Sequence, residues 1–229
     1  MEWKRSCAAL GLGAALTLAA GTSHAASLTA TDATFGTFDE SRGTRTLTIT
    51  GGGSITDVNI RIDFAKCDDP AAQPGDATCP SPGEEFSGET FFYLISPSGT
   101  RVDLVYTYDF TSEGIEQGST KADGTYDLNQ NVGVRIQVLF DDAAGAGVGA
   151  VMTTGSFRPE EFLAAFNSEN PLGNWLLGMG DSVGGDPLSY FSAQLDITTL
   201  EEVPEPSTWL LLATGLVGLL GYGWRRRVA

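Results

Sequence analysis

Through the middle of the chain, apolar residues recur at every second position more often than at helical spacing. Thr46-Leu47-Thr48-Ile49-Thr50, Ile60-Arg61-Ile62-Asp63-Phe64 and Val134-Arg135-Ile136-Gln137-Val138 each alternate cleanly. Such a period predicts strands with one face buried and one face wet. Phe91 to Ser96 and Val102 to Tyr108 predict two more strands, and Pro97-Ser98-Gly99-Thr100 between them has the chemistry of a tight turn. Trp175 to Leu177 and Phe191 to Ile197 supply the last strands. Short strands separated by turn signals point to an all-β fold, an antiparallel β-sandwich.

One segment departs from this pattern. In Phe157-Arg158-Pro159-Glu160-Glu161-Phe162-Leu163-Ala164-Ala165-Phe166, proline and two glutamates precede an apolar face formed by Phe162, Leu163 and Phe166. Proline and acids suit a helix's first turn, so one short helix is predicted at an end of the sandwich. Cys67 to Gly88, rich in Pro, Asp and Gly, reads as a long excursion. Gly145 to Ala150 contains Gly-x-Gly-x-Gly but lacks the following helix of a dinucleotide fingerprint, so it reads as a loop.

The two ends are of another kind. Met1 to Ala25 has Lys4 and Arg5, then an apolar stretch, then Ser23-His24-Ala25. This is the layout of a secretory signal peptide cut by signal peptidase after Ala25. At the other end, Trp209 to Trp224 is uncharged and precedes Arg225, Arg226 and Arg227. A helix over that run spans about 24 Å, somewhat less than a ~30 Å hydrocarbon core. Flanking tryptophans and a cytoplasmic arginine cluster suit a transmembrane helix with the body facing outward. The expected organisation is a signal peptide (1–25), a β-sandwich domain (26–200), a linker holding Pro204-Glu205-Pro206 (201–208) and a transmembrane sorting tail (209–229).

Export changes the available chemistry. His24 is the only histidine, and cleavage after Ala25 removes it. A Ser-His-Asp mechanism, cysteine-histidine catalysis and HExxH zinc chemistry all need an imidazole. The mature body is therefore expected not to be an enzyme of those classes, and the chain is read as non-enzymatic. Cys67 and Cys79, twelve positions apart in an exported domain, predict one disulfide. Of thirteen basic residues, eight lie between Ala26 and Val203, against twenty-seven of the twenty-nine acidic ones, a net charge of −19. That surface repels nucleic acid, which is excluded as a partner. It suits divalent cations. Asp141 with Asp142, and Asp181 with Asp186, are the candidate Ca²⁺ ligands, because calcium takes hard oxygens from clustered loop carboxylates. Asp68, Asp69 and Asp76 form a weaker third group. No other cofactor is expected.

Two family resemblances add to this reading. Leu94-Ile95-Ser96-Pro97-Ser98-Gly99-Thr100 followed by Leu104 resembles the Ser-Pro hairpin of the P domain (P/Homo B), the sandwich module that accompanies subtilisin-like proprotein convertases. Ile55 to Ile62, Phe140 to Ala143, Phe157 to Phe166, and Gly173-Asn174-Trp175-Leu176-Leu177 with Asp181, Asp186 and Leu188 follow in the family's order. The resemblance implies a jelly-roll-like sandwich and raises the expectation of structural calcium. Here the Cys67 to Gly88 insertion stands where members carry a short Arg-Gly-Asp-Leu-like step. Separately, Val203-Pro204-Glu205-Pro206-Ser207-Thr208, a short span and Arg225 to Arg227 resemble the PEP-CTERM sorting signal. That resemblance implies a Gram-negative precursor anchored in the inner membrane by its tail. An exosortase would process it near Pro204-Glu205-Pro206 and deliver it to the cell surface or extracellular matrix.

The function these readings favour is a surface or exopolysaccharide-associated sandwich protein. Two alternatives remain at this stage: a module assisting a separate subtilisin-like protease, and a carbohydrate-active hydrolase using paired carboxylates some 5 to 10 Å apart. Trp175, Tyr106, Tyr108 and Tyr190 are the aromatics that could stack on sugars.

Overall fold

The structure, a computed structural model, describes residues 24–81, 89–105, 134–148, 153–201 and 206–228. The segment expected to be a signal peptide, apart from its last two residues, and Tyr106, Tyr108, Pro204 and Glu205 lie outside the described residues. The body, His24–Glu202, and the C-terminal segment fall into separate units.

Two sheets make the body. The first runs β1(His24–Asp32)–β10(Leu188–Glu201)–β4(Ser54–Lys66)–β7(Ile136–Phe140)–β8(Gly155–Phe157), with β2(Gly36–Phe38) also on β10. The second runs β3(Ser41–Ile49)–β9(Gly173–Asp181)–β5(Thr90–Ile95)–β6(Arg101–Val105). Pairing is antiparallel apart from β7 and β8, which run parallel. The alternating segments are therefore strands, and the all-β sandwich is the observed fold. β1, β2 and β8 carry weaker patterns and were not expected from the alternation. The Pro97–Thr100 turn closes β5 to β6 as predicted, with Gly99 at φ +91° and its N–H donating to Ser96 O at 3.0 Å.

The core lies between the sheets. Ile60, Ile62 and Phe64 from β4 face Phe92 and Leu94 from β5 and Trp175, Leu177 and Met179 from β9, all buried. The rings of Phe64 and Phe92 meet across the gap with centroids 5.0 Å apart. Each such side chain contributes roughly 1.5–3 kcal/mol by leaving water. Trp175 stacks edge-on against Phe166 and donates its indole N–H to Pro171 O at 2.9 Å, so the buried donor is satisfied.

Irregularities set the facing. In β10 the register shifts between Tyr190 and Ser192, so Leu188 and Tyr190 point inward before the bulge and Ala193, Leu195 and Ile197 after it. An extra residue in one strand reverses the alternation beyond it. Phe191 is left on the outer face. There it joins Ala65, Cys67 and Ala72 in a second small apolar cluster under the disulfide loop.

The predicted helix over Phe157 to Phe166 is narrower than expected. Phe157 ends β8, and only Leu163–Phe166 turns, as one 3-10 turn. Leu163 and Phe166 are buried, but Phe162 is exposed. Its proline and glutamates are absorbed by backbone bonds to the β6 edge, where Glu160 N and Glu161 N donate to Leu104 O and Asp103 O.

The C-terminal segment forms α1(Pro206–Val228). The transmembrane span expected there is not borne out: no helix among the described residues is long and apolar enough to cross a membrane. Between Trp209 and Trp224, Gly215, Gly218, Gly221, Gly223 and Thr214 dilute the leucines. Glycine brings no side chain to the lipid, so the run is less greasy than its lack of charge suggests. A membrane-anchored precursor therefore has no support from this helix.

Candidate functional site

The predicted disulfide is present. Cys67 and Cys79 are bonded, with Cα atoms 5.4 Å apart. The loop it closes is held to the sheet by Ser189 Oγ donating to Ala72 O at 2.9 Å, and by Cys67 N and Asp69 N donating to Pro187 O and Gly185 O.

Beside this loop lies the most unusual chemistry of the body. The inward row Ile60, Ile62, Phe64 on β4 continues to Lys66, whose side chain is wholly buried. The facing row Trp175, Leu177, Met179 on β9 continues to Asp181, also wholly buried. The rows converge, and Lys66 Nζ lies 2.5 Å from Asp181 Oδ2. Asp186, in the β9–β10 connection, brings its Oδ2 to 3.1 Å and its backbone carbonyl into contact with the same ammonium. Glu89, just before β5, brings Oε2 to 3.5 Å. Three carboxylates thus surround one ammonium. Burial pushes Asp181 up to about 7 despite the lysine beside it. Burial and the neighbouring Asp186 push Glu89 up to about 7 as well. Taking charge out of water favours the neutral acid.

The candidate calcium ligands divide. Asp181 and Asp186 do come together, but around Lys66, whose Nζ occupies the place a cation would take. Asp141 and Asp142 remain at the other edge of the body. Asp141 Oδ1 accepts Ala143 N–H at 2.7 Å. Asp142 accepts the N–H groups of Leu163 and Ala164 at 2.9 and 2.8 Å, capping the 3-10 turn. Calcium asks for six to eight oxygens. Among the described residues no group of three or more His, Cys, Asp or Glu is placed to hold a metal ion. Neither aspartate pair fits calcium. Of the third group, Asp76 is engaged within its own loop, accepting Gln73 N–H at 2.8 Å.

Trp175 and Tyr190 are core residues and cannot reach a sugar. A different aromatic surface exists. Phe91 and Tyr93, on the outer face of β5, lie parallel within 3° with ring centroids 6.3 Å apart. They lie flat because β9 places glycines beneath them: a Cβ at Gly178 would fall 1.9 Å from the Tyr93 ring, and one at Gly180 would fall 2.5 Å from the Phe91 ring. Arg101 packs over Tyr93 at 4.2 Å and bonds Asp103. The sequence signal was the pairing of Phe91-x-Tyr93 with Gly178-x-Gly180, which becomes visible only once the register of β5 on β9 is known.

With the geometry in hand, the comparisons with known proteins can be placed. Residues 202–227 match the PEP-CTERM protein-sorting motif. The motif implies an exported protein processed by an exosortase, and its match begins where the body ends. No curated protein matches the chain. Among solved structures, the chain is similar to one in the complex of Aeromonas sobria serine protease with its chaperone ORF2, at 13% identity and a TM-score of 0.43. That match covers 78% of the present chain and 28% of the other. A second similarity is to FLHE, at 10% identity and a TM-score of 0.33, over 78% of this chain and 98% of that one. A third is to infectious bursal disease virus Gx strain, at 15% identity and a TM-score of 0.30, over 80% and 33% of the two chains.

Proposed function

We propose that the chain is the precursor of a non-enzymatic cell-surface protein that sits in exopolysaccharide, and that exosortase processing delivers it there. The observation that carries this reading is the sorting motif over residues 202–227. Three features support it. Cleavage after Ala25 would leave a mature chain without histidine. Asp181, Asp186 and Glu89, which gather in the described body, are committed to Lys66 and not to a general acid–base pair. The Phe91 ring, with the Arg101-covered Tyr93 and Asp103 beside it, offers the apolar platform and polar rim on which a sugar ring stacks.

The test follows the native full-length chain through cell fractions. The mature protein should accumulate in the surface and matrix fraction with the α1 segment removed. Glu205→Ala in Pro204-Glu205-Pro206 should leave unprocessed precursor with the cells. Recovery of a surface protein that retains its tail, or normal processing of the variant, would refute the reading. Phe91→Ala combined with Tyr93→Ala should weaken retention on the organism's own exopolysaccharide at least severalfold, measured by co-sedimentation of the folded protein.

A further inference from the structure

We infer that Lys66 and Asp181 form an intramolecular isopeptide bond, with Glu89 as the proton carrier, covalently tying the end of β4 to the end of β9 and so one sheet to the other. The argument starts from position. Two inward rows of core residues, one on each sheet, end in an amine and a carboxyl, and neither side chain has any exposed surface. A nitrogen 2.5 Å from Oδ2 is at most one C–O bond further from Cγ. That upper bound of ~3.8 Å lies just outside the ~3–3.5 Å of a near-attack pair, so a small shift of either side chain brings Nζ and Cγ into it.

The surroundings favour a neutral pair. Separated charges in a dry interior carry a large desolvation cost, which proton transfer from Nζ to the carboxylate removes. The amine then has a free electron pair and Asp181 is a neutral acid, the two forms amide formation requires. The raised affinity of Asp181 and Glu89 for protons agrees with this. Asp186 holds the nitrogen in place through its carbonyl and Oδ2.

The step balances without any co-reactant. Nζ attacks Cγ, forming the N–C bond. Glu89 takes a proton from Nζ and returns it to the departing oxygen, the Cγ–O bond breaks, and one water leaves. Nothing is oxidised or reduced. Glu89 keeps 13% of its side chain exposed, so the water has a way out past it.

Intact-mass spectrometry of the full purified chain tests this directly. The folded protein should be lighter than its sequence by one water, in addition to the two hydrogens lost at Cys67–Cys79, and reduction should restore only the hydrogens. Proteolysis should fail after Lys66 and should release a branched fragment joining the Lys66 and Asp181 segments. Lys66→Arg and Asp181→Ala should abolish the water loss. Glu89→Gln, nearly the same size, should slow it at least tenfold while leaving the fold's circular dichroism unchanged. A wild-type mass with no water missing overturns the inference without reference to any variant. So does a water loss that maps to Asp186 or persists in Lys66→Arg. An unchanged rate in Glu89→Gln would remove Glu89 from the reaction.

Discussion

Asp141–Asp142 and Asp181–Asp186 are alike in sequence terms: two acids apiece near the end of a strand, followed by small residues. In the structure they share little. Asp142 stands at the edge of the body and spends both carboxylate oxygens on the N–H groups of Leu163 and Ala164. Asp181 ends an inward row, has no exposed surface and faces an equally buried lysine. The first arrangement is local capping in high dielectric, worth about 1 kcal/mol. The second is an interior ionisable group, where the cost of burial rivals every attraction around it. Position on the inward or outward parity of a strand separates the two, and composition does not.

Substitutions can press on that difference. Lys66→Met should have the largest effect, because it removes the one group around which the buried Asp181, Asp186 and Glu89 gather, and with it any link between β4 and β9. A loss of about 3–5 kcal/mol at pH 7 is expected by denaturant titration. Part of it should return at pH 5, below the raised values of about 7 for Asp181 and Glu89, where these two acids hold protons. A loss below about 1 kcal/mol would mean that the site is wetter than its burial indicates. Asp142→Ala should cost about 1 kcal/mol, by the loss of a cap. An effect as large as that of Lys66→Met would erase the contrast.

Glu89 gives a subtler readout. Its folded value of about 7 exceeds the ordinary value of 4.5. Between those limits the folded state holds a proton that the unfolded state has released. Its contribution to stability is therefore fully present below about 4.5 and is lost as pH rises through 7. Glu89→Gln should flatten that slope, and an unaltered pH profile would argue against the raised value. The smallest expected effect is that of calcium. Millimolar Ca²⁺ should leave the melting temperature where a chelator leaves it, since Asp142 is satisfied by backbone and Asp181 by Lys66. A rise of several degrees would show a ligand set that these aspartates do not form among the described residues.

How much of this was readable in advance depended on range. Alternation located most of the strands, because a half-buried strand writes its two faces into adjacent residues such as Ile60 to Phe64. The disulfide is legible because Cys7 falls in the expected signal peptide, which leaves Cys67 and Cys79 a single pairing. The helix prediction overreached because its signals, Pro159, Glu160 and Glu161, serve equally well at a sheet edge. The C-terminal run has the flanking tryptophans and arginines of a span, but its four glycines and Thr214 hold its apolarity below what a span needs. The Lys66 site lay in the sequence in fragments. Ile60-x-Ile62-x-Phe64-x-Lys66 and Trp175-x-Leu177-x-Met179-x-Asp181 each carry the inward parity through to a charged residue. That each charge had a partner required knowing that the two rows face each other, more than a hundred residues apart.

One feature of the sheet order bears on how such a body could be held. β10 is fourteen residues long and hydrogen-bonded along both edges, to β1 from His24↔Glu201 to Asp32↔Ala193 and to β4 over nearly its full length. It is also the strand from which the chain leaves toward the Pro204-Glu205-Pro206 segment. Tension applied at that exit, against a load gripped elsewhere on the sandwich, would pull β10 lengthwise between two neighbours. Many bonds must then slide together, where an edge strand would peel one bond at a time. A load carried through the C-terminus would therefore meet the sandwich at a strand bonded along both edges.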